Sequence, residues 1–413
     1  MAEIYDIKEE EERIILVGVA LNDGDDTEES LEELEELAKT AGAVTVAKVI
    51  QNRERIHPGT YIGKGKIEEV KALVWEQDAT GVVCDDELSP AQLKNLEDAL
   101  QTKVIDRTVM ILDIFAGRAS TREGKIQVEL AQLRYRATRL VGLGNSLSRL
   151  GGGIGTRGPG EKKLEMDRRL IRERISQLKR ELEEVKQARE VARSQRSNNP
   201  VPVVSIVGYT NAGKSTLLNR LTNAGVLEED KLFATLDPTT RSITLESGQQ
   251  ILLTDTVGFI RKLPHHLIDA FRSTLEEAKY ADIILHVVDS SNPAVYTQMH
   301  TVYETLENLG IRDKAVITAF NKQDRLMTEE ILKDFKADRS VRISAKTGLG
   351  LNTLMDTVEQ ILNERKILIE RLYSYNDAGK IQIIRKYGQL LEEEYREDGI
   401  YIKAFVPREI LRD

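Results

Sequence analysis

The sequence predicts an α/β fold that is interrupted by a long pair of helices and followed by a small α+β domain. Apolar β-branched runs alternate with helix-like runs over residues 1–115 and again after residue 198. Between these regions, apolar residues recur at steps of 3 and 4, the spacing of one face of a long helix. A glycine-rich string at residues 208–216 follows a strand-like run and indicates a phosphate-binding domain.

The first region, residues 1–115, is predicted to form one α/β layer. Residues 28–40 illustrate the helix signal, because an acidic first turn complements the helix dipole. Gly63-Lys64-Gly65-Lys66 precedes a predicted helix but lacks the full phosphate-loop spacing, so a second nucleotide site is the minor alternative there. The predicted strands are residues 13–20, 43–50, 81–84 and 103–105, and the other predicted helices are residues 66–76 and 89–100.

Residues 116–197 are predicted to form an antiparallel pair of long helices. Each helix carries a narrow apolar seam, and helices adjacent in sequence bury such seams most simply against each other. The second helix, with about 36 residues at ~1.5 Å each, spans roughly 54 Å. The seam residues are Ile126, Leu130, Leu133, Ala137 and Leu140 in the first helix and Ile171, Ile175, Leu178, Leu182 and Val185 in the second.

The helical pair is basic, although the whole chain carries a net charge of −9. Residues 116–196 hold twenty Lys and Arg against ten Asp and Glu. The connection between the helices is rich in glycine and contains Arg149 and Arg157. A flexible cationic tip suits contacts with RNA phosphates and stacking of arginine on bases. A solvated helix face with a plain glycine connector is the alternative.

The string Gly208-Tyr209-Thr210-Asn211-Ala212-Gly213-Lys214-Ser215-Thr216 matches G-x-x-x-x-G-K-[ST], the loop that cradles nucleotide phosphates. Residues 201–207 before it are apolar and β-branched, as in a buried strand, and residues 214–221 suit a helix. The loop's backbone N–H groups and the helix N-terminus favour an anion. We expect Lys214 to reach the β and γ phosphates and the Ser215 hydroxyl to bind Mg²⁺.

Two later strings predict that the base is guanine. Asn321-Lys322-Gln323-Asp324 follows a strand-like run, and the Asp324 carboxylate can accept hydrogen bonds from guanine N1–H and the 2-amino group. Asn321 is expected to tie the base loop to the phosphate loop, while the stem of Lys322 lies over the purine plane. Ser344-Ala345-Lys346 follows the last short strand and offers a backbone N–H to guanine O6.

Asp255-Thr256-Val257-Gly258 ends another strand-like run. These residues are predicted to line the side of the nucleotide site that faces the γ-phosphate. Asp255 is expected to hold the Mg²⁺ shell, and the Gly258 N–H to approach the γ-phosphate. Many GTPases place a water-orienting glutamine next, but this chain has Phe259, whose side chain forms no hydrogen bond. Catalysis must then use a backbone group, a partner or a monovalent cation, and potassium held by Asn211 is one hypothesis.

Phe233-Ala234-Thr235-Leu236-Asp237 lies between the phosphate loop and the Asp255 string and is predicted to be a mobile switch loop. Thr235 is expected to complete the Mg²⁺ shell once a γ-phosphate is bound. Thr239 and Thr240 compete for that role, because one sequence does not define the register of a loop.

Composition favours a cytoplasmic, multidomain protein without an integral membrane segment, since no apolar stretch approaches ~20 residues. The single cysteine, Cys84, lies in a strand-like run and is expected to be a buried apolar filler. The five histidines show no metal-ligand spacing, and His265-His266 is interpreted as a helix start. The tail after residue 365 is predicted to be βαβ-like, with strands over 367–375 and 399–406 and a mainly helical stretch over 377–395.

The order of these motifs resembles that of the HflX family of ribosome-associated GTPases, and the resemblance covers nearly the whole chain. The strings that carry the resemblance are GYTNAGKS, FATLD, DTVGF, NKQD and SAK, together with the tip GGGIGTRGPGEKKLE. The resemblance implies an N-terminal α/β domain (1–115), a basic helical hairpin with a glycine-rich tip (116–197), a P-loop GTPase domain (198–364) and a small C-terminal domain (365–413).

The resemblance also implies the residues of the nucleotide site. Lys214, Thr235 and Gly258 carry over as catalytic groups, and Ser215 and Thr235 carry over as Mg²⁺ ligands. The implied contacts with GTP or GDP are Gly208, Tyr209, Thr210, Asn211, Ala212, Gly213, Lys214, Ser215, Thr216, Phe233, Ala234, Thr235, Leu236, Asp237, Asp255, Thr256, Val257, Gly258, Asn321, Lys322, Gln323, Asp324, Ser344, Ala345 and Lys346.

By the same resemblance, the protein is expected to bind the large ribosomal subunit and its RNA, and to split or rescue ribosomes under stress. It is also expected to be a monomer in solution. Two alternatives share its features. A GTPase of ribosome assembly carries the same nucleotide strings, and an RNA-binding scaffold would use GTP only as a structural ligand.

Overall fold

The computed structural model describes residues 11–21, 26–147, 159–197, 201–222, 232–233, 238–263, 277–326, 331–364 and 366–407. The chain divides into two compact units. The first comprises Met1–Glu183 and Arg261–Phe271, and the second comprises Glu184–Ile260 and Arg272–Asp413. A short stretch after the Asp255 string, Arg261–Phe271, is therefore grouped with the first unit.

The first unit contains a parallel sheet with the strand order β2-β1-β3-β4. Its strands are β1 (Arg13–Leu21), β2 (Val44–Arg53), β3 (Gly81–Cys84) and β4 (Lys103–Asp106). The helices between them are α1 (Thr27–Ala41), α2 (Lys64–Glu76) and α3 (Pro90–Leu100). The predicted α/β layer is confirmed, and Cys84 is buried in β3 as expected. Because the strands are parallel, Asp85, which follows β3, and Asp106, which ends β4, lie at the same edge of the sheet.

Local sequence explains how two of these helices begin and end. The Ser89 side chain accepts the N–H of Gln92, and the Gln92 side chain accepts the N–H of Ser89, which forms a capping box ahead of α3. Helix α1 ends at Gly42, whose φ of 92° is a left-handed conformation that glycine adopts without strain.

Helix α4 (Arg107–Arg118) leads into the long helices α5 (Arg122–Leu147) and α6 (Pro159–Ser197). Ile126, Leu130 and Leu178 form a buried cluster against which Leu133, Ile175 and Leu182 pack, so this part of the predicted seam is confirmed. The contacts run in opposite directions along the two helices, since Arg174 pairs with Glu129 at 2.7 Å and Arg168 donates to the carbonyl of Leu140. The pair is therefore antiparallel. Residues 148–158, which include Arg149 and Arg157, lie outside the described residues.

The second unit contains a sheet with the order β10-β9-β8-β5-β7-β6. Helices pack on this sheet over a core of aliphatic side chains, as in doubly wound nucleotide-binding folds. Strand β6 runs antiparallel to β7 at the edge, a pairing that the sequence pattern did not predict. The strands are β5 (Val203–Gly208), β6 (Thr239–Thr244), β7 (Gln250–Asp255), β8 (Ile283–Asp289), β9 (Ala315–Asn321) and β10 (Arg339–Arg342), and the helices are α7 (Lys214–Thr222), α8 (Val295–Asn308) and α9 (Leu351–Glu364).

The C-terminal part of this unit corrects one prediction. The expected helix over residues 377–395 is wrong beyond α10 (Ala378–Tyr387), because β12 (Gln389–Arg396) is a strand. It pairs antiparallel with β13 (Gly399–Pro407), which also pairs antiparallel with β11 (Lys366–Tyr373), so the tail is not βαβ-like. The helix ends at Gly388, whose φ of −97° and ψ of 171° are extended. Glycine is required there, because a Cβ would lie 2.7 Å from the Ile384 carbonyl oxygen and 2.9 Å from that of Phe405. Cross-strand pairing then outweighs the helical propensity of the Leu-Glu run.

Within the described residues, no helix combines the length and the apolar character that a membrane crossing requires.

Candidate nucleotide site

The phosphate loop joins β5 to α7 and requires glycine at two positions. Gly208 has a φ of 154°, and a Cβ there would lie 2.2 Å from the carbonyl oxygen of Val287. Gly213 has a φ of 95°, and a Cβ there would lie 2.3 Å from Nδ2 of Asn321. Asn211 also adopts a left-handed conformation, with a φ of 59°. The loop is therefore tightly packed against β8 and the start of the base motif.

Lys214 lies at the centre of this loop and is buried. Its Nζ donates to the carbonyl oxygens of Gly208 at 3.1 Å and Tyr209 at 2.8 Å. Burial lowers the pKa of Lys214 to about 8, although the nearby Asp255 carboxylate opposes the shift. A cation that is weakly solvated in this way gains much from a phosphate ligand.

Ser215 and Asp255 meet at the end of β7. The Ser215 Oγ donates to Oδ2 of Asp255 at 2.9 Å, and Asp255 is fully buried. A hydroxyl beside a carboxylate forms a set of hard oxygen atoms, which is the donor type that Mg²⁺ prefers. The residues present therefore fit the predicted Mg²⁺ site.

The residues after Asp255 lie against the phosphate loop. The Thr256 Oγ1 donates to the Ile206 carbonyl at 2.8 Å. The Phe259 N–H donates to the Gly208 carbonyl at 3.1 Å, and its carbonyl accepts the Thr210 N–H at 2.8 Å. A Cβ on Gly258 would lie 2.8 Å from Thr210 Cγ2 and 3.0 Å from Lys214 Nζ. Only glycine therefore brings the backbone this close to the lysine.

The base side of the site centres on Asn321. Its Nδ2 donates to the Ala212 carbonyl at 2.8 Å, and its Oδ1 accepts the Ala345 N–H at 2.9 Å. The first bond ties the base loop to the phosphate loop, as the sequence predicted, and the second adds a link to the Ser344 string that was not predicted. Asp324 is exposed, and a hydrogen bond of 2.6 Å from Ser344 Oγ lowers the pKa of its carboxyl. The carboxylate is thus oriented and ionised at neutral pH.

Sequence reasoning missed two residues beside the base motif. Asp289, the last residue of β8, forms a salt bridge of 2.7 Å with Lys322, whose φ of 63° is left-handed. Ser290 accepts a hydrogen bond of 3.0 Å from Gln323 Nε2. Their position was available in the sequence, because polar residues at the carboxyl end of a parallel strand lie at the ligand-binding edge.

Two predicted features of this region, the Phe233 string and His265-His266, lie wholly or partly outside the described residues. Of the Phe233 string, only Phe233 is described, and it is buried with a φ of 55°. Ala234, Thr235, Leu236 and Asp237 are not described, and neither are His265 and His266. Thr216 and Lys346 are described at the start of α7 and after β10, respectively, where the sequence placed them.

The Gly63 string differs from its prediction. Lys64, Gly65 and Lys66 form the first turn of α2 rather than a loop ahead of it. The Gly63 N–H donates to Gln51 Oε1 at 2.8 Å, and Lys66 pairs with Glu69 at 2.8 Å. The string therefore forms the start of a helix rather than a loop ahead of it.

Relatives that are at least 50% identical cover most of the chain. A protein from Lacrimispora saccharolytica that is named GTPase HflX is 71% identical over 99% of this chain and 97% of its own length. Another of that name, from Caldanaerobacter subterraneus, is 50% identical over 98% of this chain and 93% of its own. A third, from Alkalihalophilus pseudofirmus, is 50% identical over 87% and 85%. The chain belongs to the GTPase HflX family.

Family models match consecutive parts of this HflX chain. Residues 28–116 match a GTP-binding GTPase N-terminal model, and residues 118–196 match the GTP-binding GTPase middle region. Residues 203–322 match a model described as a 50S ribosome-binding GTPase. As an HflX member with a P-loop GTPase domain, the chain binds guanine nucleotides and hydrolyses GTP.

Proposed function

We propose that the chain is a GTPase whose nucleotide state controls its binding to the large ribosomal subunit, and that it splits or rescues ribosomes under stress. The match of residues 203–322 to a model described as a 50S ribosome-binding GTPase carries this proposal. Because the ribosome works in the cytoplasm, the chain is assigned to that compartment, where it acts as a monomer.

The basic helical pair supplies the RNA-binding surface in this proposal. The exposure of the side chains on α6 supports that role. Four cations of this helix are exposed, namely Arg169, Arg172, Lys179 and Arg180. Exposed cations that neutralise RNA phosphates release counterions, which makes binding weaker as salt rises. The glycine-rich string between the helices adds two more cations, Arg149 and Arg157, to this part of the sequence.

The nucleotide contacts in this proposal are the residues that the resemblance implies. Lys214 binds the phosphates, Asp324 selects guanine, and the Gly258 N–H meets the γ-phosphate. Ser215 would hold Mg²⁺ together with Thr235, and the bound ion would neutralise charge between the phosphates. The adjoining hydroxyl and carboxylate oxygens of Ser215 and Asp255 support this assignment.

Ribosome pelleting tests the coupling between nucleotide and RNA surface. We expect the chain to sediment with large subunits in a non-hydrolysable GTP analogue and to remain in the supernatant with GDP. We also expect whole ribosomes to fall into subunits in the analogue. Equal pelleting in GTP analogue, GDP and nucleotide-free buffer would instead support the scaffold alternative.

Arg157→Glu tests the tip separately. We expect weaker pelleting with large subunits and a salt slope that is shallower by about 1, since one phosphate contact is lost. GTP binding should not change. Arg312→Glu is the matched control, because it reverses the charge of an arginine that is 69% exposed elsewhere in the chain. Unchanged pelleting of Arg157→Glu at several salt concentrations would contradict the role of the tip.

A potassium ion held near Asn211 is proposed to replace the missing water-orienting glutamine. Phe259 is buried, and its backbone is bonded to the phosphate loop, so its ring cannot orient water. The left-handed Asn211 stands in the same loop. We expect GTP hydrolysis to be faster in KCl than in NaCl of equal concentration, with the difference lost in Asn211→Ala. Equal rates in both salts would exclude this role.

A further inference from the structure

The turn that follows β8 contacts the base motif, Asn321–Asp324, along most of its length. Asp289 ends β8 and lies level with Asn321, which ends the neighbouring strand β9. The Ser290 N–H donates to the carbonyl oxygen of Asn321 at 3.0 Å. The Ser290 Oγ also accepts the side-chain amide of Gln323 at 3.0 Å. The two loops are therefore joined by both backbone and side-chain bonds.

The carboxylate of Asp289 is oriented so that one of its oxygens faces Lys322. Its Oδ1 accepts the N–H of Ser291 at 3.0 Å and the hydroxyl of Ser291 at 2.6 Å. Its Oδ2 lies 2.7 Å from Nζ of Lys322, and each side chain of this pair is 14% exposed. A pair that is this well shielded from water is screened less by salt than an exposed pair. The ion pair therefore fixes the end of the lysine side chain.

The side chain of Lys322 is ordered at a cost that the ion pair offsets. Its backbone is left-handed, with a φ of 63°, and such a conformation in a residue other than glycine persists where the surroundings hold it. A lysine side chain loses much rotamer freedom when it is confined over a ligand. Burial chiefly lowers the pKa of Lys214, and the charge of Lys322 adds to that shift, so the ammonium group of Lys322 lies near the phosphate loop.

We infer that Asp289 is a positioning residue of the nucleotide site, which holds the stem of Lys322 in place to cover the purine ring. This role of Asp289 rests on the proposed function, in which residues 321–324 bind the base. Asp324 contacts the edge of guanine, whereas Lys322 covers its plane. Asp289 therefore contributes to the affinity for a purine and not to the choice between purines, and GTP and GDP depend on it equally.

Nucleotide titration of the full chain tests this role. In Asp289→Asn, we expect the affinities for GTPγS and GDP to fall alike, by about 10-fold, because the freed side chain of Lys322 must be ordered when the base binds. The KM for GTP should rise while kcat stays the same, since the base takes no part in phosphate transfer. Asparagine keeps an oxygen that accepts the Ser291 N–H, so the turn should persist, and thermal melts check this.

Inosine nucleotides distinguish positioning of Lys322 from general loosening of the base motif. Inosine lacks the 2-amino group that Asp324 is proposed to bind, so the ratio of the affinities for GDP and IDP measures the edge contact alone. This ratio should be the same in Asp289→Asn as in the original chain. A ratio that falls together with the GDP affinity would show that the whole motif is disturbed, and would overturn the inference.

A double-mutant cycle with Lys322→Met tests whether Asp289 acts through the lysine. Methionine keeps most of the aliphatic stem but has no ammonium group, so Lys322→Met should also weaken GDP binding. Asp289→Asn should then add little in the Lys322→Met background. Asp338→Asn is the matched control, because Asp338 accepts the Val316 N–H at 2.8 Å at the start of β9, the end of the strand opposite to Lys322. It should bind GDP normally.

The outcomes separate the role of Asp289 from the assignment of the base motif. Weakened GDP binding in Lys322→Met together with unchanged binding in Asp289→Asn would overturn the role of Asp289 alone. Additive effects in the cycle, or an equal loss of affinity in Asp338→Asn, would overturn it as well. Unchanged GDP binding in Lys322→Met would show instead that the base motif is wrongly assigned, and the role of Asp289 would be lost with it.

Discussion

Lys214→Ala is expected to lower the affinity for GTP at least about 100-fold and the hydrolysis rate a further 100- to 1000-fold. Hydrogen bonds to charged groups contribute about 1.5–3 kcal/mol each, and Lys214 is proposed to contact two phosphates. A donor that stabilises charge in the transition state contributes about 10²–10³ in rate. Isothermal titration and phosphate release measure the two effects.

The pH dependence of GTP binding provides a second readout of Lys214. Burial lowers its pKa to about 8 in this structure, and a bound phosphate raises it. Above pH 8, the binding of GTP is therefore accompanied by the uptake of a proton by Lys214. The affinity should be constant below that pH and fall as the pH rises through it. Lys214→Ala should lose this dependence.

Lys103→Ala is the control for Lys214→Ala. Lys103 is 61% exposed and pairs with Glu12 at 3.5 Å, far in sequence from the phosphate loop. Its variant should bind and hydrolyse GTP normally. Because Lys214 also bonds the loop carbonyls of Gly208 and Tyr209, thermal melts should accompany the titrations. A Lys214→Ala protein that is folded and binds GTP within about 3-fold of the original would contradict the assignment.

Asp324→Asn is expected to change the base preference from guanine to xanthine. The carboxylate of Asp324 can accept two guanine donors, whereas asparagine offers one acceptor and one donor, which match N1–H and the 2-carbonyl of xanthine. Loss of one charge-assisted bond and mispairing of the other should cost about 3 kcal/mol, or roughly 100-fold in GTP affinity. Competition between GTP and XTP measures the change.

Asp313→Asn is the matched control for this experiment. Asp313 is exposed in the same unit, and its φ of 58° is a conformation that asparagine also tolerates. It should leave the preference for GTP intact. Retention of guanine preference in Asp324→Asn would show that another group selects the base.

The sequence alone identified the parts of the site that are contiguous strings. The phosphate loop could be located because its glycines and lysine lie at defined spacing between a strand and a helix. The same kind of string predicts that Asn321 links the base loop to the phosphate loop, and its bond to the Ala212 carbonyl confirms this. In such motifs, neighbouring residues determine the shape of the loop, because glycines permit left-handed φ angles and the next residues begin a helix.

Other features depended on residues far apart in sequence. The sequence pattern predicts a helix where the structure has strand β12. The pairing of β12 with β13 outweighs the local helical propensity of these residues. The salt bridge between Asp289 and Lys322 forms only because β8 and β9 lie side by side in the sheet.

The sequence by itself determined that the chain has a guanine-nucleotide loop, a basic antiparallel helical pair and an α/β N-terminal region, because each rests on local spacing and periodicity. Only the tertiary structure decided that Lys262 meets Asp85, which is 177 residues away in the chain, and the neighbouring Asp86. The physical reason is that an ion pair between distant residues leaves no periodic trace in sequence, and forms only where folding brings both charges to one edge of a sheet.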